Sequence, residues 1–462
     1  MARMIKRSKA LAVRPLKTGQ PTGAALAFQG IRDAIPLLHG SQGCTAFTKV
    51  LFVRHFREPI PLQTTAMDQI STVMGGEENI LVGLETLAKN GQARVIGLVT
   101  TGLTESQGTD IQRMVARFRR EHPKYNDKVH VVPVNTPDFS GCLESGFARA
   151  VAALIDTLLP QRPTLVEETP FMKEMPEEIC INILPGAHLT PGDVDEVKRY
   201  SHAFGLTPLV LPDIATALDG HLPELECSPV STGGITVEEI HKMRKAKATL
   251  VLGSSMEEPA RAMEKQTHMP VHRLGGLMGM AATDQLVMLL RQLSERPVPA
   301  WIARDRSRLQ DAMMDTHFTL SGKRLALSGD PDGLLQWQFL LHEIGMTAPV
   351  VVSSTGSHAL ADSGFDTIKI GDLEDMEDLC RDGTTGVNVD LLLGNSHVAT
   401  MAKNLDRPMV RYGYPLFDWI GGHTRCRVGY EGTRQSCYEL TNALVHGSDP
   451  RLPPYHSIYG SV

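Results

Sequence analysis

Short apolar runs closed by glycine or proline recur along the chain, at residues 93–99, 129–134, 179–186, 208–212, 248–253, 324–329, 348–352 and 391–394. Near-continuous apolar runs of this length suit strands covered on both faces, and such strands belong to parallel sheets. Between them, residues 109–121, 145–159, 194–204, 237–245 and 334–344 carry apolar positions at helical spacing. Strand and helix alternate throughout, the mark of α/β units wound about parallel sheets. Two strands read as openings of new units: residues 181–186, ahead of Thr190-Pro191-Gly192-Asp193, and residues 325–329, ahead of Asp330-Pro331 and a helix. The expected fold class is therefore α/β, with three Rossmann-like domains whose mainly parallel sheets are flanked by helices, at residues 1–173, 174–305 and 306–462. The proline- and acid-rich stretch 160–176 reads as the first linker. The proline- and tyrosine-rich tail 450–462 reads as lying on a surface or a partner.

Composition narrows the class. A chain of 462 residues exceeds what one core serves, in keeping with about three domains. Hydrophobic residues make up 42 % but aromatics only 5 %, so aliphatic side chains and methionine must fill the cores. The formal net charge of −6, with both signs spread along the chain, argues against nucleic acid as the main partner, because phosphate binding needs a basic face. Seven cysteines, at 44, 142, 180, 227, 380, 426 and 437, form no C-x-x-C pair; this is the pattern of a reducing compartment. The basic N-terminus (Arg3, Lys6, Arg7, Lys9) leads into no apolar signal-peptide core. No run of about 18 apolar residues offers a membrane-spanning helix. A soluble, cytoplasmic protein is expected.

The stretch with the most local chemistry is His39-Gly40-Ser41-Gln42-Gly43-Cys44-Thr45-Ala46-Phe47, between an apolar run at 35–38, strand or short helix, and an apolar-basic segment at 47–56. Gly40 and Gly43 lack a Cβ and let the backbone turn sharply or approach another group closely. Cys44 falls near the start of the next expected helix, where unpaired N–H groups favour a thiolate, a nucleophile or soft-metal ligand. From this stretch alone, a cysteine packed as a small hydrophobe is an equally good reading.

Other constellations carry less. Gly275-Gly276-Leu277-Met278-Gly279-Met280 has the wrong spacing for a dinucleotide loop and reads as turn and packing. There is no Walker A lysine, and the 17 histidines include no His-Glu-x-x-His pair. Asp311, Asp315 and His317 recur at helical spacing, as solvated helix faces often do. Cys426 and Cys437, on either side of Gly429-Tyr430-Glu431-Gly432, read as buried structural thiols.

Three stretches taken together resemble the β-type subunits of the nitrogenase component 1 superfamily: Gly19-Gln20-Pro21-Thr22-Gly23-Ala24, His39-Gly40-Ser41-Gln42-Gly43-Cys44 and Arg54-His55-Phe56-Arg57-Glu58-Pro59. Matches continue through Thr100-Thr101-Gly102, Gly233-Gly234, Gly322-Lys323-Arg324-Leu325-Ala326-Leu327, Gly329-Asp330-Pro331, Gly394-Asn395-Ser396, Gly413-Tyr414-Pro415-Leu416-Phe417-Asp418 and Gly429-Tyr430-Glu431-Gly432. In the catalytic β subunit of molybdenum–iron nitrogenase, three cysteines ligate half of an eight-iron P-cluster at the α/β interface. Their positions correspond here to Gly19, Cys44 and Gly102. Glycine offers iron no ligand, so the chain cannot hold half a P-cluster.

That departure resembles the β-like half of the scaffold on which the iron–molybdenum cofactor matures. The resemblance implies a non-catalytic subunit that joins a NifE-like α subunit in an α2β2 heterotetramer. A [4Fe–4S] cluster is then expected at each α/β interface, with Cys44 as this chain's one metal ligand and three cysteines from the partner. Ser41 and Gly43 are expected to tune it through hydrogen bonds to sulfur. The iron–molybdenum cofactor precursor, supplied by NifB, is expected mainly in the partner. Molybdenum and homocitrate are inserted with the help of the nitrogenase iron protein, and the apo molybdenum–iron protein is the acceptor. Arg54, His55 and Arg57 read either as lining the subunit interface or as a solvated basic face. The rivals are the β chain of a catalytic nitrogenase, against which Gly19 and Gly102 weigh, a reductase such as the protochlorophyllide enzyme, and the vanadium-system counterpart of the scaffold.

Overall fold

Strands form where the chain is continuously apolar, and some sheet edges are closed by strands of two or three residues. The computed structural model describes residues 1–7, 12–159, 179–222, 228–381 and 387–447; the expected linker, the expected tail and Cys227 lie outside them. The strands are β1 (Arg3–Ile5), β2 (Ala34–His39), β3 (Gln63–Thr64), β4 (Val95–Thr100), β5 (His130–Val134), β6 (Cys180–Pro185), β7 (Thr207–Val210), β8 (Thr249–Leu252), β9 (Val271–Leu274), β10 (Arg324–Gly329), β11 (Thr347–Ser353), β12 (Thr367–Ile370), β13 (Leu391–Gly394) and β14 (Met409–Arg411). They make three sheets of order β3-β2-β4-β5, β7-β6-β8-β9 and β1-β12-β11-β10-β13-β14. Every pairing within them is parallel, the α/β fold with helix-flanked parallel sheets that the apolar runs predict.

Each sheet has one place where the crossovers change direction: β2/β4 in the first, β6/β8 in the second and β10/β13 in the third. In open α/β sheets ligands bind beyond the carboxyl ends of the strands at such points. The first sheet buries Ile35, Leu37, Ile96, Leu98 and Val131 against the helices Glu77–Asn90 and Ile111–Glu121. Its other face joins a continuous core that runs into the second and third sheets.

Two helices anchor that inner face. All ten residues of the helix Gln20–Gln29 are buried, which its run of small residues permits. A Cβ on Gly23 would lie 1.9 Å from Leu143 O, and one on Gly146 would lie 2.0 Å from Gln20 O. The glycines thus let this helix and Leu143–Leu158 touch backbone to backbone, start against start. Two features follow long-range pairing more than local pattern. β1 joins the third sheet beside β12, so the chain's first strand packs with its last unit. Residues 300–320 are one helix, Ala300–Leu320, packed on Gly429–His446, and the 305/306 division falls inside it.

Candidate metal centre

The β2/β4 register pairs His39 with Thr100, so the loops that leave these strands lie side by side. After β2 the chain turns through Gly40, where a Cβ would lie 2.6 Å from Thr101 Oγ1. Thr101 Oγ1 donates to His39 O at 2.9 Å and Thr104 Oγ1 does so at 3.2 Å, tying the two loops together. His39 itself is buried, its Nδ1 2.9 Å from Thr65 Oγ1. Burial lowers its pKa to about 4, and it is a structural histidine.

The helix Gln42–Phe56 starts after Ser41. Cys44 occupies the third position of its first turn, and its thiol is exposed and free. Ser41 Oγ lies 3.6 Å from Cys44 Sγ. Gly43 belongs to the same turn, whose backbone N–H groups have no partner inside the helix. Gly19 precedes the helix Gln20–Gln29, and Gly102 begins the helix Gly102–Ser106 after β4. Gly19, Cys44 and Gly102 line one open cavity of about 580 Å³.

Asp138 also lines that cavity, and nothing in the sequence marks it. A Cβ on Gly19 would lie 1.6 Å from Asp138 Oδ1, and one on Gly102 would lie 3.2 Å from Asp138 Cβ. Asp138 thus fills room that side chains at the two glycines would need, with its carboxylate at Gly19 and its Cβ at Gly102. Lys17 Nζ donates to Asp138 O at 3.2 Å.

The other described cysteines are unsuited to the same task. Cys142 and Cys437 are buried and Cys180, Cys380 and Cys426 partly so. Burial pushes the Cys380 thiol up to about 11 and Cys437 up to about 12, and raises Cys142 and Cys426 well above the ordinary thiol range. Among the described residues no trio of His, Cys, Asp or Glu ligand atoms gathers about Cys44. A lone exposed thiol fits one corner of an iron–sulfur cluster shared with another chain, and does not fit a cluster held by this chain alone. The helix face that carries Cys44 is apolar and exposed: Phe47 at 68 % and Val50 at 54 % continue it.

Of Arg54, His55 and Arg57, the first and last are exposed and the middle one is not. His55 is buried, and its Nδ1 accepts the Leu416 N–H at 2.8 Å. Burial and the nearby His423 lower its pKa to about 3. Arg57 donates to Phe417 O at 2.8 Å, and the Arg54 guanidinium stacks 4.4 Å from the centre of the Phe417 ring. The three side chains hold the 414–418 segment of the third unit. Neither a solvated basic face nor an interface lining describes buried His55. Asp311, Asp315 and His317 are exposed on the helix Ala300–Leu320, a solvated face. Gly276 lies under Phe339, and Gly279 (φ +106°) starts the helix Met280–Ser294, the turn-and-packing reading of that glycine run.

The family model for nitrogenase component 1 type oxidoreductases matches residues 19–445. A protein of Bradyrhizobium diazoefficiens named nitrogenase iron-molybdenum cofactor biosynthesis protein NifN is 39 % identical over 454 residues, covering 98 % of this chain and 94 % of its own. A protein of the same name from a Nostoc species is 40 % identical over 445 residues, covering 96 % of each. Among solved structures, a chain of "Nitrogenase Cp1 at pH 6.5" superposes with a TM-score of 0.85 and 29 % identity, covering 95 % of this chain and 94 % of that one. The chain belongs to the nitrogenase component 1 type oxidoreductase family, in which the two curated relatives above are NifN proteins.

Proposed function

We propose that this chain is the β-like subunit of a scaffold on which the iron–molybdenum cofactor precursor is matured, and that it performs no reduction itself. The observation that carries the reading is the cavity shared by Gly19, Cys44 and Gly102, with one thiol among three facing positions. The names of its relatives point to the same process.

In this reading a NifE-like α subunit covers the apolar surface around Cys44 and supplies three thiolates. A [4Fe–4S] cluster, when bound there, supplies an electron-transfer or structural centre. Cys44 Sγ is this chain's ligand to it. The Ser41 hydroxyl lies 3.6 Å from that sulfur, and in this reading the first-turn Gly43 N–H is a second donor to it. The partner's apolar contact with Phe47, Val50 and Phe139 keeps water from the thiolates. Two such pairs form the α2β2 assembly. The precursor rests mainly in the α-like partner, arriving from NifB. Molybdenum and homocitrate are inserted with the iron protein before transfer to the apo molybdenum–iron protein. No helix of the described residues is long and apolar enough to cross a membrane.

The experiment is an assembly assay. The chain, purified with its α-like partner and loaded with precursor, is mixed with molybdate, homocitrate, the iron protein and apo acceptor. Acetylene reduction gained by the acceptor is the expected result. Acetylene reduction by the loaded pair and iron protein alone, at rates of a catalytic nitrogenase, would overturn the reading.

A further inference from the structure

The second and third sheets turn their switch points toward each other. Between them and the start of the helix Leu143–Leu158 lies an internal cavity of about 90 Å³, bordered on one side by His55 and Leu416 and sharing no lining residue with the cavity at Cys44. One carboxylate or imidazole from each unit meets there: Glu144 at the start of Leu143–Leu158, His188 just beyond β6, and Asp332 in the first turn of the helix Pro331–Glu343. Their ligand atoms lie within 4.8 Å of one another. Side-chain exposure is 4 % for His188 and 0 % for Asp332, and Glu144 is 2 % exposed.

The surrounding backbone fixes the two carboxylates. Glu144 accepts the Asp332 N–H at 3.0 Å and the Gly333 N–H at 3.3 Å. Asp332 accepts the Ser254 N–H and the Ser255 N–H, each at 2.9 Å, and the Ser254 hydroxyl. His188 Nδ1 stands 3.8 Å from Asp332 Oδ2, too far for a hydrogen bond. It has no hydrogen-bond partner, and neither has Ser328 Oγ on β10, buried on the same cavity. Glycines keep the space around these atoms clear. A Cβ on Gly253 (φ +111°), after β8, would lie 2.6 Å from Asp332 Oδ2 and 2.8 Å from His188 Cε1. One on Gly186, after β6, would lie 2.8 Å from His188 Nδ1.

Two carboxylates held this close and out of water call for positive charge between them. Among the described residues neither is paired with a lysine or arginine; the one ion-pair contact is Asp332 with His188. We infer that Glu144, His188 and Asp332 bind a single divalent transition-metal cation that bridges the three units. Two carboxylate oxygens and one imidazole nitrogen suit manganese, iron or zinc, whereas magnesium and calcium favour all-oxygen sets. The cavity has room for several waters to complete the coordination, with Ser328 Oγ placed to hydrogen-bond one. The ion is a structural clamp, because its ligands come from three separate folding units.

The test uses the full chain purified with its partner and dialysed against a chelator, with Mn²⁺ as the probe. Bound Mn²⁺ is counted by equilibrium dialysis and by its EPR signal, for wild type, Glu144→Gln and His188→Gln. Wild type is expected to bind one more Mn²⁺ per copy of this chain than either variant. Added Mn²⁺ is expected to raise the melting temperature of wild type and to leave that of the variants unmoved. Equal counts in wild type and His188→Gln, or a wild-type melting temperature indifferent to Mn²⁺, would overturn the inference. Should Glu144→Gln fail to fold, His188→Gln alone decides, since Nδ1 has no hydrogen bond to lose.

Discussion

Asp138 stands where a side chain at Gly19 would have to go, so a thiol at that position would meet a carboxylate. Gly19→Cys alone would bring the new side chain onto the Asp138 carboxylate. We expect a loss of no more than about 1 kcal/mol, below the usual cost of overpacking a core, because the Asp138 carboxylate is exposed and can swing aside, visible as a slightly lowered thermal midpoint. Asp138→Gly in the same chain should relieve most of it, because Asp138's one recorded hydrogen bond is made by its backbone oxygen. Additive losses in the double-mutant cycle would contradict the steric account. Cys44 was legible in the sequence because cysteine declares its chemistry. Asp138 was not, because its role depends on an approach across more than a hundred residues. His39 and His55 were hidden in the same way. Both are neutral when folded, with pKa values lowered to about 4 and about 3. The unfolded chain therefore binds more protons than the folded chain from pH 6.5 downward. Stability should fall as pH drops from about 6.5 to 4, by up to about 1.4 kcal/mol per unit for each imidazole. Urea unfolding between pH 7.5 and 4.5 measures the slope, and His39→Asn should flatten it by about one proton.

The helix Gln42–Phe56 shows what an element contributes beyond its residues. Its Phe52 and Phe56 are buried, while Cys44, Phe47 and Val50 recur every third residue along an exposed stripe. A monomer gains nothing from exposing that stripe. We expect Phe47→Asp to weaken association with the α-like partner by more than tenfold, the size of an interface hot spot. Sedimentation of the purified components reads this, and an unchanged affinity would remove the stripe from the interface. Central strands such as β10 and β13 were legible because both faces are covered and the chain is apolar throughout. β1, β3 and β14, two or three residues each at sheet edges, had no local signal to give. The helix Gln20–Gln29 also escaped notice: buried on every side, it has no polar face and so no amphipathic period.

At the scale of the whole molecule, three parallel sheets turn the carboxyl ends of their strands to two places. The first sheet presents Cys44 and Gly102 outward at its switch point, while the second and third present His188 and Asp332 to each other. The alternation of strands and helices made the three units legible; their mutual placement rests on contacts such as His55 with Leu416, which span most of the chain. His55→Leu would leave the buried Leu416 N–H unpaired. We expect it to cost about 1–3 kcal/mol of stability while leaving partner affinity intact, because this side chain joins two units of one chain. Chemical unfolding and the sedimentation assay separate the two effects, and lost affinity without lost stability would return His55 to the interface.

The most direct measurement is iron content and low-temperature EPR of the dithionite-reduced pair, co-expressed anaerobically with the α-like partner and without the precursor-making enzyme, for wild type and Cys44→Ala. The account expects about four irons per αβ pair in wild type, with a reduced [4Fe–4S] signal that Cys44→Ala removes or plainly alters. An unchanged signal and iron count in Cys44→Ala would contradict it, as would about eight irons per pair with P-cluster redox behaviour in wild type.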